Sequence, residues 1–165
     1  MRIDVVFGPI TATPALITGR VVAVIDVLRA STSIAVALGN GARNIVPLES
    51  ADEVITRAKQ FDKGEVRLAG ERKMLMVSGF DLGNSPSEFT REAVEGKTVL
   101  LTTSNGTAAM IGLQTARDVV VAAYVDPEAV SVLLRTAARA GTDLTLLCAA
   151  RGKLFSLEHA ACAGR

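Results

Sequence analysis

The sequence predicts an α/β domain of three layers, in which helices cover both faces of a mostly parallel or mixed sheet. Short runs rich in β-branched apolar residues recur along the chain, and segments with helix start signals separate them. Most of these runs are apolar throughout, so we expect both faces of the sheet to be buried. The candidate strands cover residues 3–7, 21–27, 44–48, 66–69, 98–102, 119–123 and 144–148.

Capping signals place helices in the gaps between these strands. Ser50 and Glu53 form a capping box before an apolar segment, and Gly141 is a stop for the helix that opens at Pro127. The spacing of apolar residues over 105–116 is typical of a helix with one buried stripe. Further helices are expected after Ser31 and Thr32, over 85–94 and over 155–165.

A single domain over residues 1–165 accounts for the whole chain. It is 49% hydrophobic and 21% charged, as ordinary globular domains are, and it contains no linker, repeat or low-complexity segment. The helix over 155–165 has no strand after it, so we expect that further C-terminal elements of the domain are missing. The low net charge and aliphatic composition are compatible with a homodimer.

Composition also excludes several classes of function. The formal net charge is +1 without a local basic cluster, which disfavours nucleic-acid binding. The longest apolar run, over 119–125, is far shorter than a membrane span, and the N-terminus lacks the layout of a signal peptide. We therefore expect a cytoplasmic protein whose Cys148 and Cys162 are reduced apolar residues.

The first polar cluster follows the strand at 21–27. It contains Asp26, Arg29, Ser31 and Thr32 at the start of a helix, where free N–H groups and the helix dipole favour an anion. Arg29 is suited to bidentate phosphate binding, and Asp26 is suited to holding a divalent cation beside it. The alternative is structural, with a hydroxyl as the helix cap and Asp26 and Arg29 as a local ion pair.

A second cluster follows the strand at 98–102 and contains Thr103, Asn105, Gly106 and Thr107. Gly106 allows the backbone to approach a ligand, although an Asn-Gly pair is also an ordinary turn. Neither the Walker ending nor a G-x-G-x-x-G motif is present. P-loop hydrolysis and dinucleotide redox chemistry therefore lack their signatures.

Two further clusters complete the set of candidate loops. One contains Glu71 and Arg72, and continues through a segment from Gly79 to Pro86 that holds Asp81, Asn84 and Ser85. The other contains Ser156, Glu158 and His159, and we expect His159, the single histidine, to be a partly exposed helix residue. Cys148 and Arg151 are too close together for a Cys-x5-Arg phosphatase loop, and no Asp-x-Asp motif occurs. Carboxylates that serve Mg²⁺ beside phosphate-binding arginines remain as the favoured chemistry.

Together these motifs resemble the 2-phosphosulfolactate phosphatase family of coenzyme M biosynthesis, in order and in spacing. The matching segments are DVLRAST from Asp26, GER from Gly70, GFDLGNSP from Gly79, TTSNGT from Thr102 and FSLE from Phe155. The resemblance implies an α/β/α fold and Mg²⁺-dependent hydrolysis of a small anionic phosphate ester, which gives sulfolactate and phosphate.

The resemblance also implies roles for individual residues. Asp26, Glu71 and Asp81 are expected to serve the metal. The expected catalytic set is Asp26, Arg29, Ser31, Thr32, Glu71, Arg72 and Asp81, and the expected substrate contacts are Asn84, Ser85, Thr103, Asn105, Gly106, Thr107 and Glu158. Two alternatives stay open, namely a phosphatase of a different small acidic metabolite and a non-catalytic phosphate- or nucleotide-binding module.

Overall fold

The computed structural model describes residues 1–8, 12–62, 64–150, 152 and 154–165. Arg151, whose spacing from Cys148 excludes a Cys-x5-Arg phosphatase loop, lies outside the described residues. The strands are β1 (Ile3–Val6), β2 (Val21–Ile25), β3 (Asn44–Pro47), β4 (Val66–Arg72), β5 (Leu75–Met76), β6 (Thr98–Thr102), β7 (Asp118–Ala122) and β8 (Leu144–Cys148). The helices are α1 (Ala30–Gly39), α2 (Ala51–Ala58), α3 (Arg91–Val94), α4 (Gly106–Ile111), α5 (Pro127–Arg139) and α6 (Leu157–Ala163).

The strands form two four-stranded sheets. The first has the order β1-β8-β2-β7 and is parallel throughout, and the second has the order β3-β6-β4-β5, in which β5 is antiparallel to β4. The predicted α/β class is confirmed, but the strands divide between two sheets. β2 and β6 are the inner strands whose residues are all buried, which agrees with the apolar sequence of β2 and the apolar centre of β6.

Helix α1 packs on the second sheet as well as on the first. It follows β2, but its Ile34 and Ala37 lie in one apolar cluster with Val99 and Leu101 of β6. Burial of these side chains is the main force that holds α1 in place, since the hydrophobic effect contributes roughly 25 cal/mol for each Å² removed from water. The helix therefore connects the two sheets.

Helix α4 makes the reverse crossing. It follows β6 of the second sheet, but its Ala109, with Leu113 just beyond it, packs against Val22 and Val24 of β2. Helices α5 and α6 cover the other face of the first sheet, and α2 covers the other face of the second. Both faces of each sheet are thus covered by helices, with α1 and α4 between the sheets.

Two segments differ from the sequence prediction. The strand predicted over 66–69 continues to Arg72 and turns back through Lys73 and Met74 into β5. The helix predicted over 85–94 is broken into a 3₁₀ turn (Pro86–Glu88) and α3, because the backbone of Phe89 leaves the helical region. Phe89 is buried in the cluster beneath α1, so tertiary packing decides this break.

Other boundaries shift by one to five residues. Helix α4 ends at Ile111, earlier than the predicted 116, and α6 covers 157–163 of the predicted 155–165. None of the helices in the described ranges combines the length and the apolar content needed to cross a membrane.

Replacing Ser50 with alanine should destabilise the fold by about 1 kcal/mol, since its hydroxyl caps α2 by accepting a hydrogen bond from the Glu53 N–H at 3.1 Å. Urea unfolding of Ser50→Ala measures this loss. Ser78→Ala, at an exposed turn position, is the matched control and should leave the midpoint unchanged. Equal midpoints for all three proteins would contradict the capping role.

Candidate active site

A cavity of about 710 Å³ opens at the carboxyl ends of strands from both sheets. The ends of β2, β6 and β8, the hairpin between β4 and β5, and the first turn of α6 surround it. This is the edge at which open α/β sheets bind ligands. The polar residues that line it are Asp26, Arg29, Glu71, Lys73, Asn84, Thr103, Ser104, Asn105, Glu158 and His159.

Asp26 lies directly after β2 and is held in place through its backbone N–H. The Ser31 hydroxyl accepts a hydrogen bond from the Asp26 N–H at 2.8 Å and donates one to the Val24 carbonyl at 3.1 Å. The residue is only 5% exposed, and its carboxylate accepts no hydrogen bond from the residues that the structure describes. The ring Nε2 of His159 lies 3.5 Å from Asp26 Oδ1. A buried carboxylate therefore borders the cavity with its lone pairs largely unused.

Arg29 is the N-cap residue of α1 and lines the same cavity, half-buried. Within the described ranges its guanidinium has neither a carboxylate partner nor a hydrogen-bond acceptor. A guanidinium at the positive end of a ten-residue helix makes a favourable environment for a phosphate group.

Glu71 joins the hairpin to the loop after β6. Its carboxylate accepts hydrogen bonds from the Ser104 N–H at 2.7 Å, from the Ser104 hydroxyl at 3.0 Å and from the Met74 N–H at 2.8 Å. Burial alone would raise the pKa of Glu71, but the hydrogen bonds from Ser104 and Met74, with the nearby Arg72, outweigh it and hold the pKa below its ordinary value. Glu71 is therefore ionised, and it holds the hairpin and the loop after β6 together.

The turn that Glu71 holds is unusual for its residue types. Lys73 and Met74 have φ values of 53° and 68°, which are left-handed conformations that glycine or asparagine normally supplies in a two-residue hairpin turn. The hydrogen bond from the Met74 N–H to Glu71 compensates for this backbone cost. As a result, both Lys73 and Met74 reach the rim of the cavity.

The loop after β6 is fixed by its own threonines. The Thr107 hydroxyl accepts from the Thr103 N–H and donates to the Thr103 carbonyl, both at 3.0 Å, and the Thr103 hydroxyl accepts from the Thr107 N–H at 3.1 Å. Asn105 Oδ1 accepts from the Gly152 N–H at 3.0 Å. These bonds give the cavity a rigid wall and tie it to the loop after β8.

Comparison with known proteins identifies the family of the chain. The family model described as 2-phosphosulpholactate phosphatase matches residues 10–165. The chain belongs to the 2-phosphosulfolactate phosphatase family.

Individual relatives agree with the family match. A protein of Clostridium botulinum (strain Eklund 17B / Type B) is 37% identical over 99% of this chain and 68% of its own length. A protein of Symbiobacterium thermophilum is 41% identical over 90% of this chain and 62% of its own length. Both are described as probable 2-phosphosulfolactate phosphatases.

Half of the residues that the family resemblance suggested meet at the cavity of this member. The sequence-predicted residues that line it are Asp26, Arg29, Glu71, Asn84, Thr103, Asn105 and Glu158. They come from four separate loops, which the two-sheet arrangement brings to one edge. Ser31, Gly106 and Thr107 lie directly behind them and hold Asp26 and Thr103 in place.

Four other predicted residues are engaged elsewhere. The Arg72 guanidinium donates to the carbonyls of Glu71 and Glu49 and to the Thr102 hydroxyl, so its donors serve the backbone. The hydroxyl of Thr32 donates to the carbonyl of residue 27, and that of Ser85 pairs with Ser87. Asp81 is exposed, and its carboxylate accepts from the Leu68 N–H at 2.8 Å, which closes the loop beside β4.

His159 is a site residue that the sequence prediction placed wrongly. We expected a partly exposed helix position, but the side chain is 2% exposed and borders the cavity. Its place three residues after Ser156, on the first turn of α6 next to Glu158, is the signal that could have found it. The cavity is also lined by Lys73, Met74 and Ser104, which the sequence analysis did not predict as site residues.

Of the three carboxylates predicted to serve a magnesium ion, Asp26 is the one that borders the cavity without a hydrogen-bond donor among the described residues. Asp81 lies outside the cavity and the oxygens of Glu71 are occupied by three donors, so the predicted trio does not assemble. Among the described residues, no group of three His, Cys, Asp or Glu side chains is arranged to hold a metal. Asp26 fits Mg²⁺ by itself, since this ion commonly takes one or two carboxylates and completes its shell with water and substrate phosphate.

Gly106→Ala should destabilise the protein by roughly 1–3 kcal/mol, because the added carbon would lie 2.6 Å from Ala30 Cβ and 2.7 Å from Asp26 Oδ2. Gly112→Ala is the matched control at the other end of α4, where the nearest atom would be 3.6 Å away. Denaturant unfolding should show a loss for the first variant and no loss for the second. A Gly106→Ala protein as stable as Gly112→Ala would contradict the close contact.

Glu71→Gln should lower stability at neutral pH by roughly 1–3 kcal/mol, because the amide replaces a charged acceptor of three hydrogen bonds. The lowered pKa of Glu71 adds a dependence on pH. Its ionised form contributes fully above the ordinary value of 4.5, and the contribution is lost as the pH falls through the lower pKa of the folded state.

The difference in stability between wild type and Glu71→Gln should therefore shrink below pH 4.5. Urea unfolding at a series of pH values measures it, with the exposed Glu65→Gln as the control. A stability difference that stays constant down to roughly pH 2–3 would show that the folded state does not stabilise the ionised Glu71 carboxylate.

Proposed function

We propose that the chain is a phosphoric monoester hydrolase that converts 2-phosphosulfolactate to sulfolactate and phosphate with the help of Mg²⁺. The observation that carries the proposal is the pairing, in one cavity, of the unpartnered Arg29 guanidinium with the buried carboxylate of Asp26. Family membership supplies the substrate, since the relatives are described as probable 2-phosphosulfolactate phosphatases.

Arg29 is proposed to bind the phosphate. Its guanidinium can donate two parallel hydrogen bonds to phosphoryl oxygens, and the N-terminus of α1 adds positive potential at the same place. In the transition state, negative charge on the equatorial oxygens is stabilised by donors that are already oriented. Arg29 is thus proposed to serve both binding and catalysis.

Asp26 is proposed to hold the magnesium ion. A bound Mg²⁺ would polarise the phosphoryl group and orient the reacting oxygens. The role of the chain is to present a carboxylate that is already desolvated, on a residue whose backbone N–H is held by Ser31. Such a ligand needs little reorganisation when the ion and the phosphate arrive together.

The remaining cavity residues suit the other charges of the substrate. 2-Phosphosulfolactate carries a carboxylate and a sulfonate besides its phosphate, so it needs more than one cationic contact. Lys73 stands at the hairpin tip on the cavity rim, and Asn84, Thr103 and Asn105 add polar groups to the wall. We propose that Lys73 meets one of the two non-phosphate anions.

Phosphate release from 2-phosphosulfolactate should require Mg²⁺ and should fall on the order of 10²-fold or more in Asp26→Asn and in Arg29→Gln. The assay compares this substrate with other phosphorylated hydroxy acids, with added Mg²⁺ and with a chelator. Asp52→Asn and Arg57→Gln, exposed positions on α2, are matched controls and should keep wild-type activity.

Each other outcome of this assay has a distinct meaning. Turnover of another phosphorylated acid in preference to 2-phosphosulfolactate would replace the substrate and keep the hydrolase. Phosphate binding by a folded protein without any turnover would overturn the enzymatic proposal. Full activity in the presence of chelator would overturn the role of Mg²⁺.

A further inference from the structure

His159 stands out among the buried side chains of the chain. Its imidazole is 98% removed from solvent, yet neither Nδ1 nor Nε2 has a hydrogen-bond partner. Buried polar atoms are satisfied in the great majority of cases, so an unsatisfied pair on one ring calls for a reason. The ring borders the cavity from the first turn of α6.

The polar group that faces this ring is the carboxylate of Asp26. His159 Nε2 lies 3.5 Å from Asp26 Oδ1, slightly beyond a well-formed hydrogen bond. Oδ2 of the same carboxylate faces Gly106, which has no side chain to bond it. Each of the two buried groups therefore lacks a hydrogen-bond partner. A shift of a few tenths of an ångström would let the two groups bond to each other.

The geometry points to His159 as a positioning residue for Asp26. In the neutral ring with its proton on Nε2, His159 donates to Asp26 Oδ1 and fixes the orientation of the carboxylate, which leaves the other lone pairs for the cation. This inference rests on the proposed function, in which Asp26 holds Mg²⁺. It requires no change in the protonation of either group.

A ligand held in this way should bind its metal more tightly than a free one. Carboxylates that bind metals are themselves hydrogen-bonded, and removing such an outer partner typically costs 10–100-fold in metal affinity or activity. Asp26 accepts no other hydrogen bond from the described residues, so the effect of His159 should not be shared. Asn84 Oδ1, also buried without a partner, is an acceptor and cannot substitute as a donor through that atom.

The contact itself can be tested by nitrogen NMR. The chain contains one histidine, so the imidazole signals of an untagged protein need no assignment by mutation. We expect the tautomer with the proton on Nε2, and a shift of the Nε2 signal in Asp26→Asn. A proton on Nδ1, or imidazole signals that are unchanged in Asp26→Asn, would overturn the inference.

The effect on the metal is tested with Mn²⁺ as a spectroscopic substitute for Mg²⁺. His159→Leu keeps an apolar side chain in the space and should fold, but it should lose about 10–100-fold in Mn²⁺ affinity measured by electron paramagnetic resonance. His159→Gln, whose amide can still donate to Asp26, should recover most of that affinity. The value of kcat should follow the same order.

Ser156→Ala is the matched control, because it removes another buried, unpartnered polar atom from the start of α6 without touching the cavity. Its Mn²⁺ affinity should equal that of the wild type. Equal affinities in His159→Leu and the wild type would overturn the positioning role. If the wild type binds no Mn²⁺ at all, the metal assignment of the proposed function fails, and the NMR result alone decides the contact between His159 and Asp26.

Discussion

The site depends on the close contact between Gly106 at the start of α4 and the pair Ala30 and Asp26 at the start of α1. There is no room for one additional carbon atom between them. Because α4 follows the central strand of the second sheet and α1 follows that of the first, this contact brings the carboxyl ends of the two central strands together. The cavity exists because each sheet contributes its helix to the layer that they share.

Around this contact, hydrogen bonds divide the polar residues into two groups. Ser31, Glu71 and Arg72 direct their bonding capacity to backbone groups of neighbouring loops, and they make those loops rigid. Asp26 and Arg29 are positioned by the same loops, but among the described residues the Arg29 guanidinium has no partner and the Asp26 carboxylate has only the ring of His159, at 3.5 Å. A rigid frame that leaves one anion and one cation uncompensated is suited to a ligand that carries both a cation and an anion, as a metal phosphate does.

Much of the fold could be predicted from the sequence, because its strands are short apolar runs and its helices begin at recognisable caps. The strands at 98–102 and 144–148 have the predicted bounds. The hairpin from β4 to β5 could not be predicted, because its turn residues Lys73 and Met74 carry no turn signal and depend on Glu71 for their conformation. The division into two sheets was equally hidden, since it depends on which sheet each helix packs against and not on any local pattern.

The loops of the site could be predicted, but the roles of their residues could not. Spacing after a strand shows that Asp26 and Asp81 are both near the sheet edge, yet only the tertiary structure shows that the Leu68 N–H binds Asp81 and that no such donor reaches Asp26. His159 illustrates the same limit from the other side, because burial and the lack of partners are properties of the folded chain. A chemical role at this edge belongs to the polar groups that remain without a hydrogen-bond partner in the folded chain. The sequence shows only which groups are candidates for that role.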